Sequence, residues 1–258
     1  LVWIPALARS GDGHLWYRQT ALRLLVPVGL VMATMALVGD VFLQAGSIAD
    51  LNDEPRPEAL YGLLTGTPTG LRFIARIALL AGVAASWYGW DRMVDSDRRR
   101  LLYISLCLAG LAMLGRSFGS HAATSDGELL ALSIAFDYIH IVAASVWIGG
   151  LVGILVSRRL LRQLSREVLS EIVSRFSNVA IVSAALIAVT GLYNAWLEVG
   201  TLSALFSTSY GKLLVGKTAL LAPMLALGAL NLIGVRVRLR RDTEDSGAGS
   251  LLGSVVRW

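Results

Sequence analysis

The stretch from Phe136 to Gly153 places two ionisable residues inside an apolar helical run. Its sequence, FDYIHIVAASVWIGGLVG, carries Asp137 and His140 near its start. Residues three apart in a helix share a face, so the carboxylate could orient the imidazole or share its ligand. Ionisable residues inside a membrane segment are costly and mark functional sites by default. Asp137 and His140 are therefore the centre of a candidate metal site.

The composition predicts an all-α, polytopic membrane protein. Of the 258 residues, 55% are hydrophobic and 16% charged, and the mean hydropathy is +0.64. These values are typical of several membrane-spanning helices. The net charge of +5 falls in short basic clusters between apolar runs, so we expect no nucleic-acid partner. The single Cys107 provides no disulfide framework, and no catalytic motif is present, so we do not predict an enzyme.

Apolar runs between these clusters predict a bundle of six complete transmembrane helices. The runs are 24–45, 71–90, 101–119, a fourth ending at 157, 176–196 and 211–235. We expect a long outer loop at 46–70 with a short amphipathic piece, a charged turn at 91–100 and an amphipathic connection at 158–167. Basic clusters on alternate connections place both ends in the cytoplasm. Apolar pieces at 1–8 and 251–258 are too short to span, which predicts a fragment of a larger protein.

Polar residues recur at one depth in five of these spans. A hydrocarbon core of ~30 Å takes ~20 helical residues, counted outward from each inner basic cluster. That count reaches the following residues: Asp40 with Gln44, His121, Asp137 with His140, Asn194 with Glu198, and Lys217. Below them, Met35 and Met113 could offer thioethers to a soft ion such as Cu(I). The alternative interpretation is that border residues meet headgroups and that methionine fills the core.

Several sequence runs together resemble the CopD family of bacterial copper-resistance and copper-import membrane proteins. The similarity covers about 101–231 and includes HIVAASVWIGGL, RFSNVAIVSAALIAVTGLYNAW and TSYGKLLVGKTALL. One departure is Ser120, where the family usually has glycine. The resemblance carries over His121, His140, Trp147, Gly149, Gly150, Arg175, Phe176, Ser177, Gly191, Tyr210, Gly211, Lys217 and Asn231.

The resemblance also implies a domain organisation and a location. We expect an N-terminal membrane region at 1–100, a CopD-like four-span domain at 101–235 and a cytoplasmic basic tail at 236–258. Family members lie in the bacterial plasma membrane. Some carry a fused extracytoplasmic copper-binding domain or an oxidase-assembly domain as a partner.

The leading hypothesis is a copper-handling membrane protein that binds copper at its outer face and moves or delivers it. His121 and His140 would be the ligands, Asp137 a supporting or third ligand, and Met113 with Met35 a next station. A second hypothesis is a membrane electron-transfer protein, in which the two imidazoles ligate haem b. A third is a scaffold subunit without a ligand.

Overall fold

Helices make up the described part of the chain. The computed structural model describes residues 20–89, 92, 95–119, 129–162, 166–199, 202–208, 211–216 and 219, and no strand occurs among them. The helices are α1 Thr20–Asn52, α2 Arg56–Gly66, α3 Pro68–Gly89, α4 Asp95–Ser117, α5 Leu129–Leu161, α6 Arg166–Val199 and α7 Leu202–Ser207.

Five of these helices are long and apolar enough to cross a membrane, which confirms an all-α polytopic fold. The candidate spans are Leu24–Asn52, Pro68–Gly89, Arg100–Ser117, Leu129–Ser157 and Glu171–Leu197. They match the first five predicted spans in order. The sixth, 211–235, lies mostly outside the described residues, and only its first turns are seen as helix.

The predicted loop at 46–70 is almost entirely helical, so the loop is wrong, while its short amphipathic piece corresponds to α2. Helix α1 continues to Asn52, α2 follows, and α3 begins at Pro68. Proline lacks an amide N–H, but the first turn of a helix does not need one. Pro55 caps α2 with an extended backbone, and Pro57 lies in its first turn. The prolines that predicted a loop therefore begin helices.

Short side chains hold this helical corner together. Val41 and Ala45 of α1 are buried against Leu63 of α2. A Cβ at Gly70 would collide with the carbonyl oxygens of Leu63 and Leu64, so only glycine lets the start of α3 approach the end of α2.

The charged connections are also shorter than predicted. Helix α4 begins at Asp95, inside the expected charged turn 91–100, while α5 reaches Leu161 and α6 starts at Arg166, inside the expected connection 158–167. Charged side chains do not break a helix once it has left the hydrocarbon core. Hydropathy therefore finds the membrane-embedded part of each helix and misses its polar ends.

Helices α5 and α6 form the most extensive pair in the bundle and run antiparallel. Three contacts fix their register: Ser133 with Tyr193, His140 with Thr190, and Gly150 with Phe176. The Phe176 ring lies where a side chain at Gly150 would be, so the backbones approach closely. Helices α3 and α4 are the second such pair, joined by a 2.7 Å hydrogen bond between the Ser86 and Ser105 hydroxyls.

Candidate metal site

His140 lies in the seam between α5 and α6 and is held from the α6 side. Its Nδ1 is 2.9 Å from the Thr190 hydroxyl, and Thr190 is only 3% exposed. A Cβ at Gly191 would stand 3.3 Å from His140 Cε1, so the imidazole packs directly on the α6 backbone. Position and orientation of the ring are therefore set by the neighbouring helix.

The contacts of the Thr190 hydroxyl favour one tautomer of the His140 imidazole. That hydroxyl donates its one hydrogen to the Leu186 carbonyl oxygen, 2.5 Å away. A hydroxyl that donates to this carbonyl can only accept from the ring, and this arrangement requires the tautomer of His140 with its proton on Nδ1. In a neutral imidazole the other nitrogen, Nε2, then carries the lone pair that binds a metal. Metal-binding histidines commonly donate their second ring N–H to such a partner.

Two buried oxygens lie one helical turn from this contact. Asp137 Oδ2 on α5 and Asn194 Oδ1 on α6 are buried and have no hydrogen-bond partner among the described residues. The register of the helix pair puts both residues at the same level, on the side of His140 toward the beginning of α5. A buried acceptor left unsatisfied costs ~1–3 kcal/mol. A cation or a donor at this level would remove that cost.

Imidazole nitrogen with carboxylate and amide oxygens is a donor set that suits Cu(II). Within the described part of the chain no three His, Cys, Asp or Glu side chains converge. His121, which the sequence predicts as the second imidazole, lies outside the described residues. The seam thus presents one oriented imidazole and two oxygens.

The two methionines of the predicted next station are not brought together. Met113 lines an apolar cavity of about 340 Å³ between α1, α3, α4 and α5, and Ile141 of α5 also faces it. Met35 is 69% exposed and is not among the residues around that cavity. The structure therefore places Met113, but not Met35, in the interior of the bundle.

The predicted polar layer separates into two groups. Asp40 and Gln44 of α1 line a polar cavity with Arg72 and Arg76 of α3, distinct from the seam that holds His140. The Glu198 side chain and Lys217 lie outside what the structure describes. A shared depth along the membrane normal does not place residues on a shared face.

Sequence reasoning missed three residues of these groups. Thr190 resembled ordinary helix filler, and its only signal was that it precedes Gly191 in the run VTGLYN. Arg72 and Arg76 stand four apart at the start of an otherwise apolar span, a spacing that puts both on one helix face. That signal was available, because arginine inside a span is rare and usually has a partner.

Comparisons with known proteins agree on one family. The profile described as "Copper resistance protein D-like, N-terminal domain" matches residues 2–132, and "Copper resistance protein D" matches 170–257. The chain is 32% identical over 129 residues to "Copper transport protein CutJ" of Bacillus subtilis, covering 50% of this chain and 24% of that protein. It is 28% identical over 208 residues to "Copper resistance protein D" of Pseudomonas syringae, covering 79% and 65%. The chain thus spans less than two thirds of either relative, and no solved structure matches it significantly.

Proposed function

Because the chain belongs to the copper resistance protein D family, we propose that it binds copper at the outer ends of its membrane helices and passes it inward or to a partner. Copper is the cargo, and His140 of the α5–α6 seam is its central ligand. Both curated relatives carry names of copper proteins, which supports a copper-handling membrane protein.

The observation that carries the proposal is the arrangement around His140. Thr190 accepts from Nδ1 and leaves Nε2 for a metal, while the unpaired oxygens of Asp137 and Asn194 lie one turn away. Buried polar atoms usually have hydrogen-bond partners, so the two unpaired oxygens favour a site that binds a ligand over a purely structural role. His121, which follows α4 in the sequence, would be the second imidazole ligand. A short connection joins α4 to α5, so we expect the neighbouring helix ends to be close.

Met113 would be the next copper ligand after the His140 site. Its thioether lines the apolar cavity, and a thioether prefers Cu(I) over Cu(II). In this order, copper would bind nitrogen and oxygen donors at the outer helix ends first and the thioether in the interior of the bundle second. Met35 has no part in the proposed path, since its side chain is largely exposed.

Metal analysis of the detergent-purified protein, with and without added copper, tests the proposal. The variants His140→Ala and His121→Ala should each lose most of the bound copper. Asp137→Asn should bind about 10- to 100-fold more weakly, as expected for a group that supports a ligand. His14→Ala is the matched control and should bind like the wild type, because the basic cluster around His14 predicts a position on the cytoplasmic side of the membrane.

Each competing function predicts a different experimental result. Wild-type copper affinity in His140→Ala would refute the site. A Soret absorbance band in the purified protein would favour the haem b hypothesis instead. A protein that binds neither copper nor haem would favour a scaffold.

A further inference from the structure

A second polar site lies away from His140, between α1, α3 and α4. The cavity there measures about 30 Å³, enough for one or two water-sized groups such as the oxygens of an anion. Its charged residues are three arginines, Arg72, Arg76 and Arg116, and a single carboxylate, Asp40. None of them takes part in the proposed copper site.

The charges around this cavity do not balance. Three guanidinium groups face one carboxylate, which leaves two positive charges in excess among the described residues that line it. No ion pair within 4.0 Å joins Asp40 to any of these arginines. Arginine stays protonated in proteins, so the excess cannot be relieved by losing a proton. Charged groups at membrane depth are retained where something neutralises them.

Contacts with the protein hold two of the arginine side chains in place. Arg72 donates to the Phe118 carbonyl oxygen at 2.7 Å and to the Thr69 hydroxyl at 2.9 Å, which fixes its guanidinium at the end of α4. The stem of Arg76 packs on α4, because a Cβ at Gly115 would stand 3.1 Å from its Cγ. Arg76 has no hydrogen bond or ion pair of its own within the described ranges. Its guanidinium group therefore lines the cavity without a hydrogen-bonded acceptor among the described residues.

We propose that Arg72, Arg76 and Arg116 form a binding site for a phosphate group. Guanidinium groups match phosphate oxygens in bidentate geometry, and several around one cavity neutralise an anion that carries one or two charges. The cavity lies where α4 ends and α3 begins, and lipid phosphates border a membrane-spanning helix at its ends. Asp40 and Gln44 line the same cavity from α1, and the arginines still exceed the one carboxylate by two charges.

Two sources could supply the same chemistry, a phospholipid headgroup or a soluble phosphate. Thermal unfolding of the detergent-purified protein distinguishes them, because a ligand of the folded state raises the midpoint. One arm titrates inorganic phosphate against chloride at equal ionic strength, so that general screening is held constant. The other compares dioleoylphosphatidylglycerol with dioleoylglycerol, which has the same acyl chains and no phosphate.

The variants are Arg76→Gln and Arg116→Gln, with Arg100→Gln as the control at the other end of α4. Arg100 is highly exposed and does not line the cavity. Loss of one charge-assisted contact should weaken the phosphate probe about tenfold or more in both site variants and leave the control unchanged. Should Arg76→Gln fail to fold, Arg116→Gln decides alone, since Arg116 is the exposed member of the set.

Every outcome bears on the proposal. Stabilisation by phosphatidylglycerol alone identifies a lipid headgroup, and stabilisation by inorganic phosphate alone identifies a soluble anion. No stabilisation of the wild type by either probe overturns the site, as does equal stabilisation of all three variants. Copper binding is not part of the measurement, so the result is independent of the copper proposal.

Discussion

Thr190→Val removes the hydroxyl that orients His140 and keeps the shape of the side chain. Thr190 is buried, and its oxygen is 2.9 Å from His140 Nδ1. Valine leaves that Nδ1–H without an acceptor, which costs about 1–3 kcal/mol where water cannot replace it. The ring can avoid the cost by rotating or by moving its proton to Nε2. Either change takes the lone pair away from the proposed copper position.

The expected loss of copper affinity follows from that cost. In the variant, copper binding must restore the Nδ1–H tautomer although Nδ1–H no longer has an acceptor. This cost should weaken copper binding about 10- to 100-fold, the range seen for groups that support metal ligands. The assay is competitive copper titration of purified protein against a chromophoric chelator. Thr190→Ser keeps the hydroxyl and should stay close to the wild type.

A second control separates orientation from general loosening of the seam. Ser183→Ala changes another buried hydroxyl on α6, two turns away from Thr190 and without a recorded contact to His140. It should leave copper binding unchanged. The argument is refuted if folded Thr190→Val binds copper like the wild type, or if Ser183→Ala weakens binding equally.

The remaining predictions concern glycines of the same helix pair. Gly150→Ala should lower thermal stability by about 1–3 kcal/mol, because its Cβ would overlap the Phe176 ring, whereas Gly149→Ala, with nothing within 4 Å, should be neutral or slightly stabilising in the same unfolding assay. Gly191→Ala should push the His140 ring by a few tenths of an ångström and weaken copper binding about tenfold, measured by the same chelator titration; unchanged affinity would show that the ring need not rest on α6.

The sequence predicted the membrane-embedded part of each helix well and the helix ends poorly. Hydropathy depends on transfer into lipid, so it located the apolar runs that form α1 and α3 to α6. It carries no information on where a helix ends in water, and Pro55, Pro57 and Pro68 each fit the first turn of a helix as readily as a loop. The predicted loop was therefore a helical corner.

The candidate site shows a similar division. Spacing alone placed Asp137 and His140 on one face, because three residues are nearly one turn. It could not find Thr190, which is fifty residues from His140 in the chain and reaches it only through the register of two antiparallel helices. Depth alone grouped Asp40 with His140, and only the packing of α1 against α3 shows that Asp40 shares a cavity with arginines instead.

Arg76 and Arg116 line both the polar cavity and the apolar cavity beneath it, so they stand where the two spaces meet. A cation ~5 Å from one guanidinium is repelled by about 3 kcal/mol at an effective dielectric constant of 20. Permanently charged arginines exclude protons and metal cations from pores in other membrane proteins. We expect these two residues to keep free cations from passing between the two cavities, so that copper would reach Met113 from the α5–α6 seam and not through the polar cavity.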